Sequence, residues 1–322
     1  MDLKQFRYFI AVAEELHFGR AAKKLHRSQP PLSQQIKALE EEVGVRLFER
    51  NRRGVSLTEA GGAFLVHTRE ILTMVQTATD AARRAGNGEL GVLRIGYSGS
   101  ALYSETLLSC IAHYREKFAS VDVELRQGPT HMHVEDIHAG RSHLGIVRGP
   151  LPTSADGLFK QIFSRERLMV ALPVQHPLNE REKIWLKDLR GERFVALPKE
   201  MGAALNELLT ELYREAGVVP DIAIEATEMS SILGLVGAGA GVSIVPATVT
   251  AMSPPHVIFR ELEDPSAHAE LYAITPAKQT PATINFLYLL KSKAKACREI
   301  APTGAAPPHK QASRKEKNAE LA

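Results

Sequence analysis

The chain has 322 residues, of which 44% are hydrophobic and 24% charged, with a net charge of +3. That length supports a small domain plus a larger one with sizeable cores, and the composition excludes a disordered chain. Two cysteines exclude a disulfide scaffold and point to a reducing compartment.

The charge is unevenly placed. Residues 1–57 carry eleven Lys/Arg against seven Asp/Glu, and residues 301–322 carry four against two, which leaves −3 on the middle. A basic excess at the N-terminal end suits nucleic-acid backbone contacts, and a slightly acidic centre argues against nucleic acid as its ligand. The first residues lack a signal-peptide core, so a soluble, cytoplasmic protein is expected, with no membrane partner. Met229–Ala251 carries no charge, but its five glycine and proline positions read as helix, turn and buried strand, not as a membrane span.

In chain order, Leu3, Phe6, Phe9, Ile10, Val12 and Ala13 recur at helical spacing and predict a helix ending near Leu16. Gly19 is the expected cap of a second helix that turns Ala21, Ala22 and Leu25 inward. Pro30 and Pro31 then open a third helix without wasting a backbone donor. Leu32, Ile36, Leu39 and Val43 form its inner stripe, and Gly44 ends it. Its outer face presents Ser33, Gln34 and Lys37, with Gln29 just ahead. These side chains suit base edges and phosphates, a glutamine pairing with adenine and Pro30 or Pro31 touching a thymine methyl. Leu47–Leu57 reads as a hairpin with Arg50, Arg52 and Arg53 at its tip, where arginines suit phosphates and the minor groove. Helix, turn, helix and basic hairpin in that order describe a winged helix-turn-helix.

Thr58 caps a predicted helix running to about Gly86. Its stripe of Phe64, Ile71, Val75, Ala78 and Ala82 is too long to bury within a small domain and asks for a partner helix. Beyond Asn87-Gly88 the pattern becomes α/β. Strands are predicted at Val92–Tyr97, Val121–Arg126, Leu144–Val147, Arg167–Leu172, Phe194–Leu197, Ile222–Glu225, Val242–Val245 and Glu270–Thr275, with a closing helix at Pro281–Arg298. The Ala/Pro/Lys-rich tail from Ala301 is expected to be disordered.

Ligands of open α/β sheets lie beyond the carboxyl ends of the strands. Ser98-Gly99-Ser100 follows the first such strand, placing hydroxyls and backbone donors together as a seat for a carboxylate. Thr130 follows the second after Gly128-Pro129, and Arg148 follows the third with a bidentate cation. Pro198–Gly202, including Met201, ends a strand of the later set. Ordinary helix capping explains any one of these taken singly.

Ser28–Gly61 (SQPPLSQQIKALEEEVGVRLFERNRRGVSLTEAG) resembles LysR-type transcriptional regulators, and the likeness continues more weakly through LGIVRG (Leu144–Gly149), RERLMVALPVQHPL (Arg165–Leu178) and GLVGAGAGVSIVPA (Gly234–Ala247). Members controlling aromatic-compound catabolism are a loose likeness. The resemblance implies residues 1–58 as a DNA-binding domain, 59–89 as a dimerisation linker and 90–300 as an effector domain. The last is expected to have two periplasmic-binding-protein-like α/β lobes, about 90–162 plus 268–300, and 163–267. It implies effector contacts at Ser98, Ser100, Thr130 and Arg148, and further at Pro198–Gly202 and Met229. A homodimer or homotetramer, a small organic-acid effector, no cofactor, and RNA polymerase as partner if the protein activates are also implied. Two positions depart from the pattern: Gly19 where Ser or Thr is usual, and Gln34 where Arg is common.

Other readings stay open. The alternative is a solute-binding or enzymatic α/β protein with a helical assembly module. His131, Glu135 and His138 share a helix face, as metal ligands or as a solvated surface. Cys110 and Cys297 are either a redox pair or buried, inert thiols. Gly237, Gly239 and Gly241 follow a helix and precede a strand, the reverse of a phosphate loop, and no nucleophile elbow is present.

Overall fold

The computed structural model describes residues 1–51 and 54–300, without the side chains of Asn51 and residues 296–300. Arg52, Arg53, the tail from Ala301 and the Cys297 side chain therefore lie outside the described residues. The chain divides into two compact units, Met1–Asn87 and a second that begins at Gly88.

In the first unit, helix α1 (Leu3–Glu15) opens with a reciprocal cap. The Asp2 carboxylate accepts from the Gln5 amide at 2.7 Å, and the Gln5 side chain accepts from the Asp2 amide at 3.0 Å. Helix α2 (Phe18–Lys24) corrects one expectation: Gly19 lies inside it and is not its cap. His17 is the cap, its Nδ1 accepting from the amides of Gly19 at 3.0 Å and Arg20 at 3.3 Å. A Cβ on Gly19 would press on the His17 ring at 3.0 Å, so the glycine makes room for this cap. Helix α3 (Gln29–Val43) takes in Gln29 as its first residue and ends at Gly44 with φ +84°. Strands β1 (Phe48–Asn51) and β2 (Gly54–Leu57) pair antiparallel as the wing. The core joins Phe6, Phe9, Phe18, Ala21, Ala22, Leu32, Ile36, Leu39 and Phe48, each large side chain contributing roughly 1.5–3 kcal/mol on burial.

Helix α4 (Glu59–Gly86) has 28 residues, and Thr58 Oγ1 accepts from the Gly61 amide at 2.8 Å to cap it. Phe64, Leu65 and Leu72 pack on the core. Further along the helix, Ile71 is 41% and Met74 73% exposed, and Ala78 and Ala82 are exposed as well.

In the second unit, β3 (Gly91–Tyr97), β4 (Val121–Gln127) and β5 (Leu144–Arg148) pair in parallel in the order β4-β3-β5. Helices α5 (Glu105–Lys117) and α6 (Thr130–His138) supply the crossovers. Strand β6 (Phe159–Pro173) is followed by β7 (Lys183–Ile184), β8 (Arg193–Ala196), α7 (Ala203–Ala216), β9 (Asp221–Glu225), α8 (Met229–Gly237), β10 (Ser243–Pro246) and β11 (Val257–Leu262). Strand β12 (His268–Thr275) and α9 (Pro281–Ile300) complete the order.

Strand β6 belongs to both lobes. Phe159–Arg167 pairs antiparallel with β12 except at one bulge, and Leu168–Pro173 pairs antiparallel with β10 and β11. The changeover falls at Arg167–Leu168, later than the expected 162, because one continuous strand carries the chain across. Leu93, Ile95, Ile146, Tyr114 and Phe286 fill the first lobe. Leu168, Val170, Leu172, Phe194 and Leu209 fill the second. The uncharged stretch forms α8, a glycine turn and β10. Among the described residues, no helix is long and apolar enough to cross a membrane.

Candidate functional site

Two surfaces gather the residues singled out from the sequence. On α3, Leu32, Ile36 and Leu39 point into the core. Gln29, Pro30, Pro31, Gln34 and Lys37 are exposed, and Ser33 is half-buried. Pairing of Lys37 with Glu41 at 3.4 Å is solvent-exposed and weak. Arg50 is already engaged: its Nη1 donates to Ser33 Oγ at 3.2 Å, and its guanidinium lies 4.2 Å from the Phe18 ring centre. It thus ties the wing to α3 and α2. Glu40, not anticipated, fixes the wing from the other side. One of its carboxylate oxygens accepts from the amides of Leu47 at 2.8 Å and Phe48 at 3.0 Å. Its signal was only an acidic residue eight positions ahead of the strand.

The second surface is a cleft of about 590 Å³ between the lobes of the second unit. The ends of β3, β4 and β5 bring Ser98, Gly99, Ser100, Thr130 and Arg148 to one wall. Met201 and Gly202, ahead of α7, and Met229, opening α8, stand on the other. Pro198 is not in the lining. Its carbonyl instead accepts from the amides of Met201 at 3.1 Å and Gly202 at 3.0 Å, and from Asn206 Nδ2 at 3.3 Å, so it holds the turn that presents them. Ser98 also differs from expectation, since its amide is spent on the Ile146 carbonyl at 2.9 Å. A 3₁₀ turn, Gly99–Tyr103, precedes α5, so the residues after β3 do not open that helix directly.

Arg148 is not a free cation. Its Nη1 donates to Glu166 Oε1, and its Nη2 donates to Ser100 Oγ at 3.1 Å. Glu166 Oε2 accepts from the Thr248 amide at 2.9 Å. The network therefore runs from the cleft wall through the crossing strand to the turn after β10. Glu166 is in phase with the buried Leu168, Val170 and Leu172 along β6. That phase was its one sequence signal, because a carboxylate on the apolar face of a strand needs a partner.

Behind the first wall, His133 is fully buried and its Nε2 lies 2.9 Å from the carbonyls of both Tyr97 and Gly128. Two acceptors require that nitrogen to carry the proton, and Nδ1 is left buried without a hydrogen-bond partner. A Cβ on Gly96 would come within 2.3 Å of Nδ1, so the glycine admits the ring. His133 thereby joins the ends of β3 and β4, both of which line the cleft.

Among the described residues, no group of three or more His, Cys, Asp or Glu side chains is placed to hold a metal. His131 and Glu135 are exposed, and His138 Nε2 meets the Ser154 carbonyl at 2.9 Å. Cys110 is fully buried, its thiol pushed up to about 12 by burial, so it is not a ready nucleophile.

A helix-turn-helix with a wing, followed in the chain by a long helix and a two-lobed cleft domain, defines a DNA-binding regulator with an effector-binding domain. Residues 3–62 match the model of the bacterial regulatory helix-turn-helix protein, lysR family, and residues 86–295 match the LysR substrate binding domain. The chain belongs to the LysR family of transcriptional regulators, which are not enzymes. It is 40% identical over 290 residues to the regulator AlsR of Bacillus subtilis, covering 90% of this chain and 95% of AlsR. It is 39% identical to TfdS of Cupriavidus pinatubonensis, covering 83% and 90% of the two chains. The crystal structure of CbnR, a LysR family transcriptional regulator, superposes with a TM-score of 0.81 at 32% identity, covering 90% of this chain and all of that one. Full-length CbnR complexed with its target DNA matches with a TM-score of 0.79.

Proposed function

We propose that this regulator reads its operator with Gln29, Pro30, Pro31, Ser33, Gln34 and Lys37, and grips the flanking phosphates with Arg50, Arg52 and Arg53. Its switch is a small organic anion seated between Ser98, Gly99, Ser100, Thr130 and Arg148 on one wall and Met201, Gly202 and Met229 on the other. The observation that carries this reading is the convergence of those hydroxyls and chain turns on one cleft of about 590 Å³. Helix α6 has no side-chain hydrogen bond at its N-cap, and its start lines the cleft on the wall that carries Ser98, Ser100 and Arg148. Such amides and dipole ends favour negative charge. Arg148 adds hydrogen bonds while Glu166 offsets its charge, so the donors of the turns do most of the recognition. The ligand acts by favouring one lobe closure over another, and only to the extent of its differential affinity.

The regulator works in the cytoplasm as a homodimer or homotetramer paired through α4, and meets RNA polymerase if it activates. Gln34→Ala tests the reading face. It is expected to cost roughly 1–3 kcal/mol at the preferred operator and to relax preference at one base position. Gel retardation across operator variants checks this, and an unchanged preference removes Gln34 from the reading face.

A further inference from the structure

We infer that the cleft takes a monocarboxylate with an apolar body and turns away dicarboxylates, an assignment that rests on the anion reading above. The charge of its walls carries the inference. Apart from the Tyr97 and Tyr103 phenols, the ionisable groups among the described lining residues are Arg148, His131, Glu207 and Glu228. The one permanent cation in this set, Arg148, is matched by Glu166 behind it.

The second lobe brings two carboxylates and no cation to the lining. Glu228 stands at the N-cap position of α8, but its carboxylate makes no capping bond and accepts instead from Ser230 Oγ at 3.3 Å. Glu207 lies on the second turn of α7 and is exposed. Beside them are Leu197, Met201, Leu205 and Met229, an apolar floor. The first lobe offers uncharged donors for one carboxylate, whose apolar remainder then packs on that floor. A second carboxylate extending across the cleft meets Glu207 and Glu228, and like charges brought together are disfavoured. Both glutamates are solvated, so the expected discrimination is about tenfold, equivalent to 1.4 kcal/mol.

Calorimetry of the full chain at neutral pH, using benzoate against terephthalate and pentanoate against glutarate, with benzamide as neutral control, tests the inference. The monocarboxylate of each pair is expected to bind at least about tenfold tighter. Glu207→Gln/Glu228→Gln is expected to bring each ratio within about threefold by improving the dicarboxylates. Circular dichroism establishes that this doubly substituted surface variant is folded. Equal or tighter binding of the dicarboxylates to wild type, or an unchanged ratio in the folded variant, overturns the inference alone. Benzamide binding as tightly as benzoate overturns the anion reading instead, and no binding of any acid at millimolar concentration overturns both.

Discussion

Arg148 and Glu166 are each almost withdrawn from water, at 6% and 8% exposure, so each charge depends on the other. Removing one partner of such a pair typically costs about 3–5 kcal/mol, because the survivor stays buried and charged. Glu166→Gln is expected to lower the urea stability of the second unit by about that amount. It is also expected to tighten carboxylate binding, because Arg148 lines the cleft and loses its competing anion. Lost stability without tighter binding would show that Arg148 does not reach the ligand. His133 gives a second expectation at this scale. Burial foremost lowers its pKa below the ordinary 6.5, and the nearby Arg126 charge adds to this; the two carbonyl bonds and Asp136 act the other way. The unfolded chain therefore takes up this proton more readily than the folded one, so stability is full above about pH 6.5 and falls below it. His143, lowered by burial and by Arg94, acts in the same sense. His133→Gln, which keeps a donor for the carbonyls, is expected to flatten the fall in Tm between about pH 7 and pH 5. Equal slopes for the two proteins would contradict a neutral, buried His133.

At the scale of elements, α4 exposes Ile71 and Met74 along a helix of 28 residues, about 42 Å at 1.5 Å per residue. Lysine at position 71 is harmless in solvent but costly inside a helix pair. Ile71→Lys is expected to dissociate the oligomer and to weaken operator binding together, because paired half-sites need two readers. Sedimentation showing an intact oligomer would contradict pairing through this stripe. Elements set by local spacing were legible in the sequence. The stripe of α3, its Gly44 stop, the Thr58 cap and strands β3, β4 and β5 all follow from periodicity and cap chemistry. The His17 cap was not legible, because histidine is an uncommon cap and Gly19 offered a more ordinary one. The first half of β6 and all of β11 were missed as well. Their residues include Lys160, Arg165 and Arg260, and neighbouring strands, not their own pattern, hold them extended.

Across the whole second unit, the two-lobed plan depends on β6 pairing with β12 along its first half and with β10 and β11 along its second. Pairings of this kind join residues about a hundred positions apart, as Arg167 with His268, so spacing along the chain cannot reveal them. The cleft positions Ser98, Ser100, Thr130 and Arg148 were nonetheless legible, since strand ends are local and parallel sheets gather them at one edge. What remained hidden was the neutralising Glu166, eighteen positions from Arg148, and the second lobe's Glu207 and Glu228. As proposed above, one chain couples operator reading to a bound anion. The direct measurement is a footprint of the full-length protein on DNA upstream of its own gene, with unrelated competitor DNA, in the presence and absence of benzoate. The expected result is specific protection at least about 10³-fold tighter than on competitor, with a protected pattern or affinity that changes when benzoate is added and does not change with benzamide. Protection that ignores both sequence and benzoate would rule out this coupling.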